Sequence, residues 1–302
     1  LLLDYYLIFC IVKETKEKKM TNVELEELNY KREGSRGGLK YSAIIEHKGF
    51  KVIHFLKGAF KEKQFFILLK LFLRSLWVVW CMPFVFILRK MPFWDKFVFA
   101  RLNKWGKAIC KITKVKLHVI NRENVSENKT YLFTSNHLSL LDIPVLSAAI
   151  PVKNRYIANR DLACFFITNL LIKFSGSVLI GKNDGKEQIR ALKNIRQSLL
   201  RGNNLIIFPE SNMSNDGNLQ GFQRGGLSAA VFANVHIMPV YIKGTREVCP
   251  PGAFSFEPDK DVYVVFGEEI DCKNLNREDK KSIDIIVYNK LKKMSECVIQ
   301  EI

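Results

Sequence analysis

From about residue 115 onward the chain alternates apolar and polar positions in short runs. KVKLHVI (114–120), TYLFTS (130–135), RYIAN (155–159), SVLIG (177–181), NLIIFP (204–209), HIMPVYI (236–242) and DVYVVFG (261–267) carry the period-two or fully apolar signature of β-strands. Helical periodicity fills several of the intervals. In EQIRALKNIRQSLLRG (187–202), Ile189, Leu192, Ile195 and Leu199 share one face, and Gly202 is placed to end the helix. EDKKSIDIIVYNKLKKMSECVIQ (278–300) reads as a closing amphipathic helix. Strands alternating with helices predict an α/β fold: a mixed, largely parallel sheet flanked by helices over residues 114–302. The chain has no internal repeat and no low-complexity tract.

The first third follows a different pattern. Residues 1–60 read as a leader and linker, with EGSRGG (33–38) a flexible stretch. LLLDYYLIFCIV is too short to span a bilayer and lacks the basic start of a signal peptide. Met20 is a candidate start, which would leave residues 1–19 outside the native chain. Residues 61–113 form a second unit. FFILLKLFLRSLWVVWCMPFVFIL (65–88) is long enough to cross a bilayer, but Lys70 and Arg74 lie in its first half and Pro83 in its second. In PFWDKFVFARLNKWGKAICKITK (92–114), Trp94, Val98, Leu102, Trp105, Ile109 and Ile112 recur at steps of three and four. Lys104, Lys107, Lys111 and Lys114 follow the same rhythm on the opposite face. Aromatics facing one way and lysines the other suit a helix lying in the headgroups of an anionic membrane. The expectation is therefore a membrane-associating helical segment, monotopic in preference to spanning. The competing assignment, a core helix hairpin with a solvated basic face, leaves the local excess of cations unexplained.

Charge sharpens this picture. The 302 residues include 47 Lys and Arg against 30 Asp and Glu, a net charge of +17, which suits an anionic partner. A nucleic-acid binder would interleave its cations with aromatics along a sheet or groove. Here much of the excess flanks apolar helical segments, which favours lipid over nucleic acid. Seven scattered cysteines with no C-x-x-C pair fit reduced thiols rather than disulfides or zinc, and no metal site is expected.

The candidate chemistry lies in YLFTSNHLSLLDIPVL (131–146). Five residues separate His137 from Asp142, about 500° of regular helix, so the two meet only if His137 precedes the helix and Asp142 lies in its first turn. Ser139, three before Asp142, fits a capping box and places the helix start at Ser139. The same spacing serves a plain helix cap. The functional alternative is a general base: an imidazole titrating near neutrality, its tautomer fixed by a carboxylate. No G-x-S-x-G elbow is present, and no cysteine has a recognisable catalytic context. A base without a protein nucleophile points to attack by a substrate hydroxyl, as in acyl transfer to an alcohol.

NHLSLLD (136–142) resembles the N-H-x-S-x-x-D signature of the glycerolipid acyltransferases, the family of 1-acyl-glycerol-3-phosphate acyltransferase. Three further blocks follow in that family's order. GSVLIGK (176–182) resembles G-x-I-F-I-D-R, FPES (208–211) resembles F-P-E-G-T-R-S, and IMPVYI (237–242) resembles the late V-P-V block; FQRGG (222–226) is similar to F-K-K-G-A. The resemblance covers about residues 115–270. It implies a membrane-associated enzyme on the cytoplasmic face that moves an acyl group from acyl-CoA or acyl carrier protein to a lysolipid hydroxyl, with no cofactor. It makes His137 the base and Asp142 its partner. It places Asn136, Ser139, Gly176, Lys182, Phe208, Pro209, Glu210, Ser211 and Arg224 around the substrates. There are departures: Gly181 and Lys182 stand where the second block has aspartate and arginine, Ser211 replaces glycine, Met213 replaces arginine, and Asn159 replaces a lysine frequent before the second block. Lysophosphatidic acid is the leading acceptor. A different lysophospholipid, an amino-acid lysolipid, or a catalytically silent membrane-binding relative are the alternatives.

Overall fold

The computed structural model describes residues 93–159, 175–181, 185–251, 253 and 255–301, with residues 70, 73 and 172. The apolar stretch 65–88 apart from Lys70 and Leu73, Lys182, and the whole of the leader and linker (1–60) lie outside these residues. Helix α1 (Trp94–Ile112) leads into strand β1 (Lys116–Ile120), β2 (Tyr131–Ser135), helix α2 (Asp142–Ala149), β3 (Asn154–Asn159) and β4 (Val178–Ile180). Helix α3 (Gly185–Leu200), β5 (Asn204–Ile207), α4 (Arg224–Ala233), β6 (His236–Lys243) and the short α5 (Thr245–Val248) follow. The chain closes with β7 (Asp261–Phe266), β8 (Ile270–Asp271), α6 (Arg277–Lys281) and α7 (Ile283–Glu301).

The eight strands form one sheet in the order β1-β7-β6-β2-β5-β3-β4, with β8 pairing on β6. Pairing is parallel throughout except where β6 meets β7 and β8. The expected mixed, largely parallel α/β sheet is thus present. Strand β2 sits between β5 and β6, where the chain changes its direction of travel across the sheet: β3 and β4 lie to one side of it and β6 to the other. Ligand sites of open α/β sheets open at such a switch point, beyond the carboxyl ends of the strands.

Period two sorts the strand side chains between two cores. Tyr131 and Phe133 of β2, Ile206 of β5, and Met238, Val240 and Ile242 of β6 face the layer containing Trp105, Ile109, Val145 and Leu146 of α1 and α2. Leu132, Leu205, Ile207 and Ile237 face the layer formed by α3, α4 and α7, with Ile195, Leu199, Leu227, Val287 and Leu291. Burial on both faces explains why these strands read as apolar runs.

The structure revises three sequence expectations. The apolar stripe of α1 packs inward: Trp94, Val98, Trp105 and Ile109 are buried, while Arg101, Lys104, Lys107 and Lys111 are exposed. A Cβ on Gly106 would stand 2.4 Å from the Pro144 carbonyl oxygen and 2.9 Å from the Ala148 nitrogen, so α1 and α2 touch backbone to backbone there. Trp105 and Ile109 thus join the α/β core, while Trp94 and Val98 form a small cluster with Phe97 and Leu102, and the cations of α1 face outward. On α3, Ile189 is 60% exposed although Ile195 and Leu199 are buried. The buried face is centred on Ala191, Ile195 and Ser198, and at 100° per residue Ile189 lies about 120° from Ile195. Finally, α2 begins at Asp142 after a turn closed by Asp142 N–H donating to the Ser139 carbonyl, 3.2 Å, rather than at Ser139. Gly202 does end α3: it has φ +77° and its N–H reaches the Leu199 carbonyl at 2.9 Å.

Candidate active site

The carboxyl ends of β2, β5 and β6 converge on one constellation. Past Ser135, the side chain of Asn136 is tied to β6: its Nδ2 donates to the Ile242 carbonyl and its Oδ1 accepts from Ile242 N–H, both at 2.8 Å. This pair imitates a further rung of the β-ladder and fixes the direction in which the next residue leaves. His137 is that residue, 6% exposed. Its Nδ1 donates to Asp142 Oδ2 at 2.8 Å. Among the described residues no hydroxyl or thiol bonds its Nε2.

Asp142 is fully buried. Burying a carboxylate is costly unless its oxygens are hydrogen-bonded, and here they are. Oδ2 also accepts from Leu138 N–H at 2.7 Å and Ser139 N–H at 2.9 Å, and Oδ1 accepts from the Thr245 hydroxyl at 2.6 Å. The Ser139 N–H bond is one half of the expected capping box. The other half is absent, because the Ser139 hydroxyl accepts from Leu141 N–H at 3.1 Å and donates to the Cys249 carbonyl at 2.6 Å. The turn from 137 to 142 is thereby wound round the Asp142 carboxylate, and α5 is fastened to it through Thr245.

Strand β5 supplies the opposite wall. The Phe208 ring stacks on the His137 imidazole, centroids 4.1 Å apart and planes within 17°. Pro209 is buried, and its carbonyl accepts from Gln223 N–H at 2.8 Å, steadying the approach to α4. Glu210, 7% exposed, accepts from His137 N–H at 3.1 Å and from Gln220 N–H at 3.2 Å. Burial pushes its carboxyl up to about 7, against the pull of those two N–H groups. Ser211 adopts φ +65°, a left-handed conformation that favours glycine. Ser214 N–H donates to the His137 carbonyl at 2.8 Å, closing the loop over the dyad.

The structure therefore brings together Asn136, His137, Ser139, Asp142, Phe208, Pro209, Glu210 and Ser211. Asn136 and Ser139, expected beside the acceptor, have their side chains spent on backbone groups and serve as braces. Gly176, at φ +66°, packs on the Arg155 guanidinium, 3.1 Å from where its Cβ would stand, in the turn before β4. Arg224 is the exposed first residue of α4. Lys182 lies outside the described residues. Sequence reasoning missed Thr245 and Ser214. Thr245 is three residues beyond the late strand block, and its position there was the available signal.

The largely parallel sheet thus carries a buried His–Asp pair at its switch point, walled by phenylalanine, proline and glutamate. Residues 116–243 match the family described as Acyltransferase. The chain is similar to the crystal structure of the 1-acyl-sn-glycerophosphate acyltransferase from Thermotoga maritima: TM-score 0.64, 25% identity, covering 78% of this chain and 97% of that one. It is 26% identical over 186 residues to the chloroplastic 1-acyl-sn-glycerol-3-phosphate acyltransferase of Arabidopsis thaliana, covering 61% of this chain and 52% of the relative. It is also 26% identical over 168 residues to the lyso-ornithine lipid O-acyltransferase of Pseudomonas aeruginosa, covering 55% and 63%. The α/β part of the chain is thus similar to acyltransferases that act on lysolipids by their names. Its alignments span from about half to under two thirds of these two curated relatives' lengths.

Proposed function

We propose that the protein is an O-acyltransferase that moves a fatty acyl group from a thioester, acyl-CoA or acyl carrier protein, to the free hydroxyl of a lysolipid. The observation that carries the reading is the buried His137–Asp142 pair with Nδ1 committed to the carboxylate. That bond leaves Nε2 as the basic nitrogen. Nε2 takes the proton of the acceptor hydroxyl as its oxygen attacks the thioester carbonyl. The new C–O bond forms, the C–S bond breaks, and the imidazolium returns the proton to the departing thiolate. Asp142 stabilises the transient imidazolium and holds the ring, with Phe208 stacked behind it. The protein needs no metal and forms no covalent intermediate. Lys182 and Arg224 are assigned to drawing in the anionic headgroup.

The leading acceptor is 1-acyl-glycerol-3-phosphate, giving phosphatidic acid in phospholipid biosynthesis. Met213, where the family block carries arginine, favours a second reading in which the acceptor is another lysolipid; the lyso-ornithine relative acts on one such lipid by its name. We place the enzyme on an anionic membrane surface at the cytoplasmic face. The exposed cations of α1 support that placement. Among the described residues no helix is long and apolar enough to cross a membrane. The test is a mass-spectrometric transfer assay on detergent-purified protein with both donors and a panel of lysolipids. His137→Ala is expected to lower turnover by about 10²–10⁴-fold. Transfer that survives the substitution, in protein of unchanged fold, would refute the assignment.

A further inference from the structure

Arg246 is the second residue of α5, and its side chain crosses to the loop after β5. Its Nη2 donates to the Asn215 carbonyl, and its guanidinium lies 3.6 Å from where a Cβ on Gly217 would stand. Its Nε is buried without a hydrogen-bond partner. Among the described residues no carboxylate pairs with it. The nearby Asp216 is committed to its own loop, accepting from the Ser214 hydroxyl, Asn218 N–H and Nδ2, and Gln220 Nε2.

Both anchors of this arginine are one residue from the dyad's own contacts. Thr245, before it, bonds the Asp142 carboxylate, and Ser214, before Asn215, bonds the His137 carbonyl. The same loop carries Met213. Hence a guanidinium with unspent donors stands over the segment where this chain has lost a cation. A guanidinium presents Nε and Nη N–H groups in parallel, a fork that matches two oxygens of a phosphate.

We propose that Arg246 binds the phosphate monoester of a substrate, and specifically the headgroup of the acceptor lysolipid. This inference rests on the acyl-transfer reading for its substrate but not for its test. A phosphate gripped here fills the unmet Nε, and the acceptor's hydroxyl end is then directed towards His137. Arg246 thus acts in place of the arginine that Met213 displaces, delivered from a different element of the fold.

The experiment measures equilibrium binding to His137→Ala protein, in which turnover cannot confuse the signal, with and without Arg246→Gln or Arg246→Lys. The probes are lysophosphatidic acid, the monoacylglycerol of the same chain length, and coenzyme A, which also ends in a phosphate monoester. Arg246→Gln is expected to weaken lysophosphatidic acid by roughly 10- to 100-fold, the loss of a charge-assisted bond pair. It should leave the other two probes within about twofold, a tolerance well inside that loss. Arg246→Lys should recover part of the affinity. In the enzyme with His137 intact, Arg246→Gln should raise the acceptor KM by a similar factor with kcat little changed.

Weakening of coenzyme A alone would assign Arg246 to the donor and overturn the proposal. Equal weakening of both lipids would reduce it to a clamp on the loop. Unchanged or undetectable lysophosphatidic acid binding would also overturn it. Failure of the underlying acyl-transfer reading would show separately, as no His137-dependent turnover with any acceptor, while the binding arms still decide Arg246.

Discussion

Thr245→Val is the sharpest probe of how the site is held. The substitution keeps the shape of the side chain and removes its hydroxyl. Thr245 is fully buried, and among the described residues its 2.6 Å bond is the one donor to Asp142 Oδ1; the other three converge on Oδ2. A hydrogen bond to a buried charged group contributes about 1.5–3 kcal/mol, and a short O–H···O⁻ bond belongs to the stronger class. Valine leaves one carboxylate oxygen without its partner in a site closed to water, so the full loss should appear in stability. With a urea m-value of about 3 kcal/mol/M, the midpoint of unfolding should fall by about 0.5–1 M. Thr245→Ser, which keeps the hydroxyl, should recover most of this. Activity should fall as well, by roughly tenfold in kcat with KM little changed, because a carboxylate released on one side holds the imidazolium less firmly. Urea titrations of the three proteins at pH 7, with parallel transfer assays, test the reasoning. A Thr245→Val midpoint equal to that of the wild type would mean that Asp142 is held by its Oδ2 contacts alone.

Two further outcomes follow from the same geometry. Glu210 titrates near 7 in the fold but near 4.5 when exposed, so the native state binds the extra proton between those values. Its contribution to stability is greatest below about 4.5 and is lost as pH rises through about 7, by up to about 3 kcal/mol. Glu210→Gln should flatten that part of the stability profile in denaturant titrations at pH 5 and pH 8; an unchanged slope would show that Glu210 is not its source. Gly106→Ala should cost about 1–3 kcal/mol in thermal unfolding, since its methyl group would meet the backbone of α2 and force α1 outward. A variant as stable as the wild type would mean that the two helices are not in close contact.

The strands and the dyad could be read directly because they depend on local pattern. Period two and short apolar runs mark strands that are buried on both faces, and the five-residue spacing demands a turn before a helix. That is the form His137 and Asp142 take, with the helix beginning three residues later than the capping box suggested. The α1 stripe was equally plain as a pattern but not as a partner, since a Trp-rich face fits lipid and a protein core alike. The backbone contact at Gly106 shows that the half of the stripe carrying Trp105 and Ile109 packs on protein. Likewise, periodicity identified α3 as a helix but could not set the rotation that leaves Ile189 in solvent.

By itself, the sequence determined the alternating architecture, the pairing of His137 with Asp142, and the order of the blocks along the chain. The tertiary structure alone decided what surrounds them. Thr245 meets Asp142 across 103 positions, Asn136 meets Ile242 across 106, and Arg246 reaches Asn215 across 31. Such contacts exist only once β2, β5 and β6 are laid side by side. Linear spacing can show which neighbours share a turn, but only the sheet order fixes which distant residues share a charge.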